Sequence, residues 1–510
     1  MGFLVQLFEI RWSLIFIALL YYAFSKYKTY NRLKAFRGPF STGFSDIWHT
    51  KAIMSMRSHI AYSTVCEKYG SIARVGPNDL ITSSSELLTH INSVRSPYTR
   101  SEWFYRAARF NPGEDHLFSQ IDEQMHTKRR QQMAAGYSGK ENLALESSID
   151  IRLQELLHLI RSKYASSKPM DLARKVQYFT LDVISDIGFG KAFGDLKADA
   201  DLNDYAKSSE EGLLVTTIKI AFGLMKILEV PMISRLISPS EKDKAGFGKM
   251  RATARSLIDS RMTTPTDTRS DMLASFIRHG LTQEEILSEA LLQILAGSDT
   301  TATAIRGIML FVMTHGRVYS TLQAEIDAAV KAGRAPHSPG IISDTEARNL
   351  RYLQAVIREG IRVHPPVTDI FSKRVPDEGD TVTIDGKSIF LPGGTNIGYC
   401  AWSMHRQKSI FGDDVEEFKP ERWLIEDNEK TRDRLAMMYK TSELTFGYGK
   451  YQCLGKFIAM MEVGKCIFEL MRNFDWGIVN PEKPWKSRNR VGIFVHRDMW
   501  VQVSERQTNL

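Results

Sequence analysis

Residues 446–455 read Phe-Gly-Tyr-Gly-Lys-Tyr-Gln-Cys-Leu-Gly, and a helical pattern of apolar residues begins at Leu454 and continues with Ile458 and Met461. This order predicts that the sulfur of Cys453 lies at the mouth of a tight loop and at the positive end of a helix, where a thiolate is favoured. Glycines let the backbone approach a bound group closely because no Cβ intervenes. Such a thiolate suits an axial ligand to haem iron, and the alternative is a buried structural cysteine.

A second motif places poor helix-forming residues in the middle of a predicted long helix. Apolar periodicity predicts a helix from Leu281 to about His315, opened by a Thr282–Glu285 capping box. In its middle stand small and polar residues, Ala296-Gly-Ser-Asp-Thr-Thr301, although Gly costs about 1 kcal/mol there and Asp and Thr are mediocre helix formers. A buried acid beside a hydroxyl is what oxygen activation requires. The alternative is a kinked helix with solvated polar residues.

Together these two motifs resemble those of the cytochrome P450 monooxygenases, a haem-thiolate family. The resemblance implies that Cys453 is the iron ligand and that Phe446, Gly449 and Gly455 match fixed positions of the haem-binding loop. It also implies that Asp299 acts as a proton relay and that Thr300 supplies the hydroxyl that stabilises dioxygen.

One position departs from the family pattern. The residue two before the cysteine is usually basic and reaches a haem propionate, but here it is Tyr451. A phenol contributes one neutral hydrogen bond and no charge. We therefore expect His126, Arg130 and Arg374 to hold the propionates. Without the cysteine loop, His126 and Arg130 would be interpreted as a solvated pair on one helix face.

Glu359 and Arg362 share one face of a helix predicted over Leu350 to Val363, and Pro420-Glu-Arg-Trp423 follows downstream. An exposed ion pair is the ordinary interpretation and is worth little. The resemblance instead implies a buried structural network of Glu359, Arg362 and Arg422. Short strands are predicted around a turn at residues 76–79 and around the Asp385-Gly386 hairpin turn.

The substrate pocket is expected to combine an aromatic loop with residues near the haem. The loop between Asn92 and Phe118 is long and rich in aromatic residues, which is more often a functional segment than a plain connector. Residues 213–233 are strongly apolar and form either a core helix pair or the roof of the pocket. The predicted pocket residues are Trp103, Phe104, Ala296, Val367, Ile370 and Phe371.

The composition describes an ordinary globular protein of 510 residues, with a net charge of +8 and four cysteines. So few cysteines exclude a disulfide framework and suit a reducing compartment. A basic balance fits nucleic acid, an anionic membrane or an acidic partner. Because no nucleic-acid-binding module accompanies the charge, we expect membrane lipid and a protein partner, and no nucleic acid.

The N-terminus carries an uncharged apolar stretch from Trp12 to Phe24, followed by Lys26, Lys28 and Arg32. A cleaved signal peptide is the rival interpretation, but no small-residue cleavage site follows the stretch. The basic flank places that side in the cytoplasm. We therefore predict a transmembrane anchor over residues 1–25, a basic Gly-Pro hinge over 26–45, and one haem-thiolate domain over 46–510.

The resemblance implies a mainly α fold, a helical triangular body with small β-sheets preceded by the N-terminal transmembrane helix. The expected cofactor is haem b, and the expected reaction inserts one oxygen atom into a lipophilic small molecule at the endoplasmic reticulum membrane. No dinucleotide fingerprint is present, so the electrons must come from NADPH through a separate cytochrome P450 reductase, with cytochrome b5 as an optional helper. A terpenoid, polyketide or alkaloid substrate is suggested by the likeness to fungal members. A haem-thiolate isomerase or dehydratase and a haem sensor are the rival functions.

Overall fold

The computed structural model describes residues 2–165, 168–230, 232–233, 238–244, 246–262, 269–425, 428 and 431–507. The side chains of residues 2–10 and of residue 226 lie outside this description. The predicted apolar segment 213–233 is therefore described except at residue 231.

Helices make up most of the described chain. They are α1 (Gly2–Arg32), α2 (Ile47–Met54), α3 (Ser58–Tyr69), α4 (Ser85–Asn92), α5 (Glu102–Tyr105), α6 (Glu123–Tyr137), α7 (Leu145–Lys163), α8 (Leu172–Phe189), α9 (Asp195–Ala198), α10 (Tyr205–Ala221), α11 (Met225–Leu228), α12 (Gly246–Met262), α13 (Met272–Arg278), α14 (Gln283–Thr314), α15 (Gly316–Lys331), α16 (Asp344–Arg348), α17 (Arg351–Val363), α18 (Ala401–Met404), α19 (Lys408–Phe411), α20 (Arg432–Glu443) and α21 (Lys456–Asn473).

The strands form small sheets at the edges of the helical body. They are β1 (Ile72–Arg74), β2 (Asp79–Thr82), β3 (Thr99–Arg100), β4 (Met170–Asp171), β5 (Asp369–Arg374), β6 (Asp380–Ile384), β7 (Lys387–Leu391), β8 (Asn396–Cys400), β9 (Phe474–Ile478), β10 (Lys486–Arg490), β11 (Ile493–Arg497) and β12 (Trp500–Glu505). The largest sheet has the order β1-β2-β8-β5-β3, in which β2 and β8 are parallel and the other pairs antiparallel. The mainly α class with small sheets is thus confirmed.

Local sequence signals set several boundaries as expected. Thr282 caps α14 through a complete capping box with Glu285. Strands β1 and β2 pair around the turn at residues 76–79. Asp385 and Gly386, with φ of 51° and 73°, form the turn between β6 and β7, as a two-residue hairpin requires.

The predicted transmembrane helix is not supported. Residues 2–32 form one helix, but within the described chain no helix has both the length and the apolarity that a membrane span needs. The uncharged stretch is bounded by Arg11 and Lys26. At about 1.5 Å per residue it is shorter than the roughly 30 Å hydrocarbon core of a bilayer.

The core lies where the long helices cross. Helix α14 contacts α8, α12, α17, α21 and strand β11, and apolar side chains of α7, α8, α14, α17 and α21 form one continuous buried cluster. Because α14 and α21 are both fixed in this core, the polar stretch of α14 and the loop that precedes α21 are held on a rigid frame.

Candidate active site

A short loop presents the thiol of Cys453 before α21. The backbone N–H of Cys453 donates to the carbonyl of Phe446 at 2.7 Å and closes the loop. Gly447 and Gly449 have φ of +72° and +58°, which favour glycine. The carbonyl oxygen of Asn92 stands 2.2 Å from where a Cβ on Gly449 would lie. The loop is therefore seated directly on the end of α4.

The environment of the Cys453 sulfur acts on its pKa in both directions. Burial raises the pKa, while the backbone amides of Gly455 and Lys456 and the guanidinium of Arg130 lower it. The thiol is nonetheless exposed, whereas Cys66, Cys400 and Cys466 are buried. A thiol that is enclosed by protein on its loop side and open on the other is placed to bind a ligand.

On α14, Asp299 and Thr300 face different neighbours. Asp299 accepts hydrogen bonds from Gln177 Nε2 at 2.9 Å and from Ser209 Oγ at 2.7 Å. Burial raises the pKa of Asp299, and Ser209, Arg306 and Gln177 oppose this shift. Thr300 Oγ1 donates to the carbonyl of Ala296 at 2.7 Å. Ala296 is exposed although most of its helix is buried, so this part of α14 borders an open space.

A group of cations surrounds Tyr451. Lys373 Nζ lies 3.1 Å from the centre of the Tyr451 ring and the Arg100 guanidinium lies 4.7 Å from it, while the His126 ring is 5.3 Å away. Arg130 is close enough to Cys453 for the two side chains to shift each other's pKa values. Arg100, Arg130 and Lys373 form, with the imidazole of His126, what we call the cation cluster. Burial and these three side chains lower the pKa of His126 to about 2, so its ring is a neutral hydrogen-bonding member.

The cation cluster is short of partners. Lys373 is 3% exposed and His126 is 1% exposed. Lys373 Nζ, His126 Nδ1 and Arg100 Nε have no hydrogen-bond partner among the described residues. Glu123 is the acid at its edge, where it accepts from the Tyr451 hydroxyl and pairs with Lys450 at 3.0 Å. Unpaired buried polar atoms are costly, so this group is built for an anionic ligand.

The structure does not bring Arg374 to this cluster, which corrects the prediction. Arg374 is nearly half exposed and pairs with Asp377 at 2.5 Å. Successive residues of a strand point to opposite faces, so on β5 it is Lys373 that points inward. Tyr451 also differs from the expectation, because its hydroxyl already donates to Glu123.

Lys373 and Arg100 were missed in the sequence. Two-residue periodicity places Lys373 on the same strand face as Phe371, a predicted pocket residue, but the strand register shifts between Ile370 and Lys373, so the sequence signal is weak. Arg100 carries no comparable signal. Its guanidinium donates to the carbonyls of Leu117 and Gln120 at 3.0 and 2.8 Å, a loop contact that only the folded chain shows.

The structure places Glu359, Arg362 and Arg422 in one buried network. Arg362 donates two hydrogen bonds of 2.8 Å to the Glu359 carboxylate, and Arg422 Nε donates a third at 3.1 Å. Trp423 Nε1 and the backbone N–H of Lys419 also donate to Glu359. The carboxylate is fully buried, so the network joins α17 to the segment around residues 411–423 as one unit.

Most of the predicted pocket residues gather in one apolar cluster. Phe104, Ile370, Trp103 and Phe371 belong to one apolar cluster, in which the Phe371 ring lies 5.6 Å from that of Phe104. Val367 lies outside it and bridges to Ile493. Ile370 and Phe371 have positive φ of 72° and 40°, a strained geometry for a β-branched residue that often marks a functional site.

These features define a class of site. An exposed cysteine at the start of a helix, basic side chains with buried nitrogens that have no hydrogen-bond partner among the described residues, and an acid–hydroxyl pair on α14 fit haem, a planar cofactor with a soft axial ligand and two carboxylates. The arrangement is that of a haem-thiolate protein, and the orphaned Lys373 Nζ is the observation that supports the fit.

Known proteins agree with this class. The family model described as Cytochrome P450 matches residues 47–499. The chain is 39% identical to "Cytochrome P450 monooxygenase ABA1" of Pyricularia oryzae over 506 residues, 97% of this chain and 96% of the relative. It is 38% identical to "Cytochrome P450 monooxygenase aba1" of Botryotinia fuckeliana over 91% of this chain and 90% of the relative. The chain belongs to the cytochrome P450 family and is a haem-b-dependent monooxygenase.

Proposed function

We propose that this protein inserts one oxygen atom from dioxygen into a lipophilic small molecule of fungal secondary metabolism, by hydroxylation, epoxidation or serial oxidation. The observation that carries the proposal is the exposed Cys453 together with the cation cluster, in which Lys373 Nζ, His126 Nδ1 and Arg100 Nε have no hydrogen-bond partner among the described residues. In this assignment Cys453 ligates iron, and Phe446, Gly449 and Gly455 shape the loop around it.

The cation cluster would hold the two haem propionates. His126, Arg130, Lys373 and Arg100 supply the hydrogen-bond donors, and charge-assisted bonds of this type are roughly twice as strong as neutral ones. Tyr451 packs against Lys373 and keeps its hydroxyl on Glu123. Haem held through a thiolate supplies dioxygen reduction and oxygen-atom transfer.

Asp299 and Thr300 manage protons and water. Thr300 Oγ1 uses its own proton on the Ala296 carbonyl, so its lone pairs are free to accept a hydrogen bond from water. The Asp299 carboxyl contacts Gln177 and Ser209. It does not face the Thr300 hydroxyl directly, because successive residues on a helix are about 100° apart. A proton at Asp299 therefore reaches the Thr300 side through water or by rotation of the Asp299 side chain.

The substrate would lie against Ala296, Val367 and the aromatic cluster of Trp103, Phe104, Ile370 and Phe371. Such a lining favours a lipophilic molecule, because aromatic side chains bury large apolar areas. The likeness to fungal relatives supports secondary metabolism and a terpenoid, polyketide or alkaloid substrate.

Electrons would come from NADPH through a separate reductase, with cytochrome b5 as an optional second donor. We place the protein at the endoplasmic reticulum, with residues 1–25 attached to membrane lipid, 26–45 as a hinge and 46–510 as the catalytic domain. Exposed apolar side chains support attachment: Leu14, Phe16, Leu19 and Tyr22 on α1, and Phe222, Ile227 and Met232 near α11, are each more than half exposed.

The test is reconstitution of the purified holoprotein with a fungal P450 reductase, NADPH and candidate lipophilic substrates. We expect NADPH-dependent dioxygen uptake and a product that carries one labelled oxygen atom from ¹⁸O₂. A product formed without dioxygen uptake would favour an isomerase or dehydratase, and haem binding without any turnover would favour a sensor.

A further inference from the structure

A small polar cavity lies beside Asp299. It has a volume of about 40 Å³ and is enclosed by α8, α10, α14 and β11. Its inner wall includes Gln177, Ser209, Asp299, Arg306 and His496, and Arg174, Glu210 and Arg497 line its outer part. A polar cavity needs only about 10–15 Å³ to hold a water molecule, so this one has room for water.

The inner wall is held in a fixed orientation. Arg306 donates to Gln177 Oε1 at 2.8 Å and to the carbonyl of Ala173 at 3.0 Å. Because the Gln177 oxygen is occupied in this way, its amide nitrogen faces Asp299 Oδ1 at 2.9 Å. The Tyr205 hydroxyl also interacts with the Asp299 carboxyl. A carboxylate accepts about four hydrogen bonds, so at least one position remains available for water.

His496 is the cavity residue with an unexplained atom. It is 4% exposed, and its Nε2 lies 3.1 Å from Nε2 of His364. Its Nδ1 has no hydrogen-bond partner among the described residues. A neutral imidazole has one donor and one acceptor, so in either tautomer the Nδ1 atom is left with a proton or a lone pair to satisfy. A cavity water would satisfy it.

We propose that this cavity holds ordered water that joins His496 Nδ1 to the carboxyl of Asp299, and that His496, oriented by His364, is a positioning residue for proton supply to Asp299. The inference rests on the proposed function. Arg497 pairs with Glu210 at the outer end, and Arg174 and Arg497 are both partly exposed. Protons would thus enter from solvent at this end and reach Asp299 through the water.

The first test is infrared spectroscopy of the resting holoprotein at mildly acidic pH, with no substrate or reductase. After a change to D₂O, the protonated Asp299 band is identified by subtraction of the Asp299→Asn spectrum, and its exchange rate is measured. Loss of one neutral hydrogen bond is worth roughly three- to tenfold. We expect His496→Leu to slow the exchange by about that factor and His496→Gln, which keeps a donor and an acceptor, to restore most of it.

His59→Leu is the matched control. His59 is also buried, lies edge-on to the Phe494 ring at 5.0 Å and has an Nδ1 without a partner among the described residues, but it does not line the cavity. In His59→Leu the Asp299 carboxyl should exchange in D₂O at the rate of the parent protein. A second variant, Ala206→Leu, fills the cavity from α10 and should slow exchange as His496→Leu does.

Turnover with reductase gives the second readout. His496→Leu should raise the solvent deuterium isotope effect and the share of NADPH lost as hydrogen peroxide, and His59→Leu should change neither. The inference would be overturned if the Asp299 carboxyl exchanged equally fast in His496→Leu and in the parent protein. It would also be overturned if His59→Leu slowed the exchange as much as His496→Leu does. Because infrared exchange needs no turnover, its result is independent of whether the proposed oxidation is found.

Discussion

Replacement of Lys373 by Met should loosen the cofactor and strengthen the empty fold. Met keeps the long aliphatic side chain that packs beneath Tyr451 but removes the ammonium group. A hydrogen bond to a charged group is worth about 1.5–3 kcal/mol, so haem should dissociate about tenfold to a hundredfold faster. In the haem-free protein the same ammonium group is buried without a hydrogen-bond partner among the described residues, which costs about 1–3 kcal/mol. Its removal should raise the free energy of unfolding by about that amount.

The pH dependence of the free energy of unfolding tests the predicted stabilisation of the haem-free protein. Burial lowers the pKa of Lys373 well below its ordinary value, and Arg100 lowers it further. Between the folded-state pKa and the unfolded value of about 10.4, the unfolded chain binds more protons. The stability of the haem-free protein should therefore rise with pH in that interval, and Lys373→Met should remove this contribution.

The assays are haem transfer to an excess of a haem-scavenging protein, and urea unfolding of the haem-free protein across the alkaline range. Arg374→Met is the matched control. It removes a cation from the next residue of β5, where the ion pair with Asp377 is exposed and worth about 0–1 kcal/mol. If Arg374→Met loses haem as fast as Lys373→Met, the inward assignment of Lys373 is wrong.

Four further predictions test the rest of the site. Cys453→Ser should lose the red-shifted absorption of the reduced carbon monoxide complex that marks thiolate ligation; a retained band would point to another cysteine. Thr300→Ala should divert much of the NADPH to hydrogen peroxide, because a positioned proton-transfer group contributes about 10²–10⁴-fold, whereas Thr301→Ala should keep the parent's product yield per NADPH. Glu359→Gln should cost about 3–5 kcal/mol in urea unfolding, as expected for breaking a buried ion pair from one side; a loss below 1 kcal/mol would show that the network is dispensable. Deletion of residues 2–25 should lower binding to lipid vesicles and leave carbon monoxide binding intact; loss of the haem signal would mean that the segment packs into the body.

How much of the site could be predicted depended on whether its signal was local. The loop of Cys453, the acid–hydroxyl pair on α14 and the Glu359–Arg362 spacing are each contained within one element, so sequence spacing reveals them. The cation cluster joins α6, β3 and β5, and its membership depends on strand register. A shift of one residue exchanges Lys373 for Arg374 because strand side chains alternate. Gln177 contacts Asp299 from α8, and His496 lines the same cavity from β11; neither residue has a sequence signal.

For the fold as well, features with a short-range sequence signal were predicted and features that depend on distant residues were not. The capping box at Thr282 and the Asp385–Gly386 turn are short-range signals, and both set boundaries that the structure confirms. The N-terminal anchor was predicted from hydrophobicity, yet the charges at Arg11 and Lys26 leave too short an uncharged stretch between them. The parallel pairing of β2 with β8 joins residues 79–82 to 396–399, a separation over which no local pattern gives information.

The glycines of the Cys453 loop are unequal in the substitutions they would tolerate. Any side chain at Gly449 meets the Asn92 carbonyl and a left-handed backbone at once, so a saturation library at this codon should return glycine alone. Gly447 has more room, since its nearest obstacle lies 3.1 Å away, but its φ of 72° and ψ of −169° fall in a region that essentially only glycine adopts, so it too should return glycine. At Gly455 the nearest atoms are 3.9 Å and more distant, and alanine should be accepted. Substitutions that change the surroundings of the thiolate ligand, by directed evolution or by drift, should therefore be accepted after Cys453, where α21 begins. They should be rejected before Cys453, where the loop rests on α4.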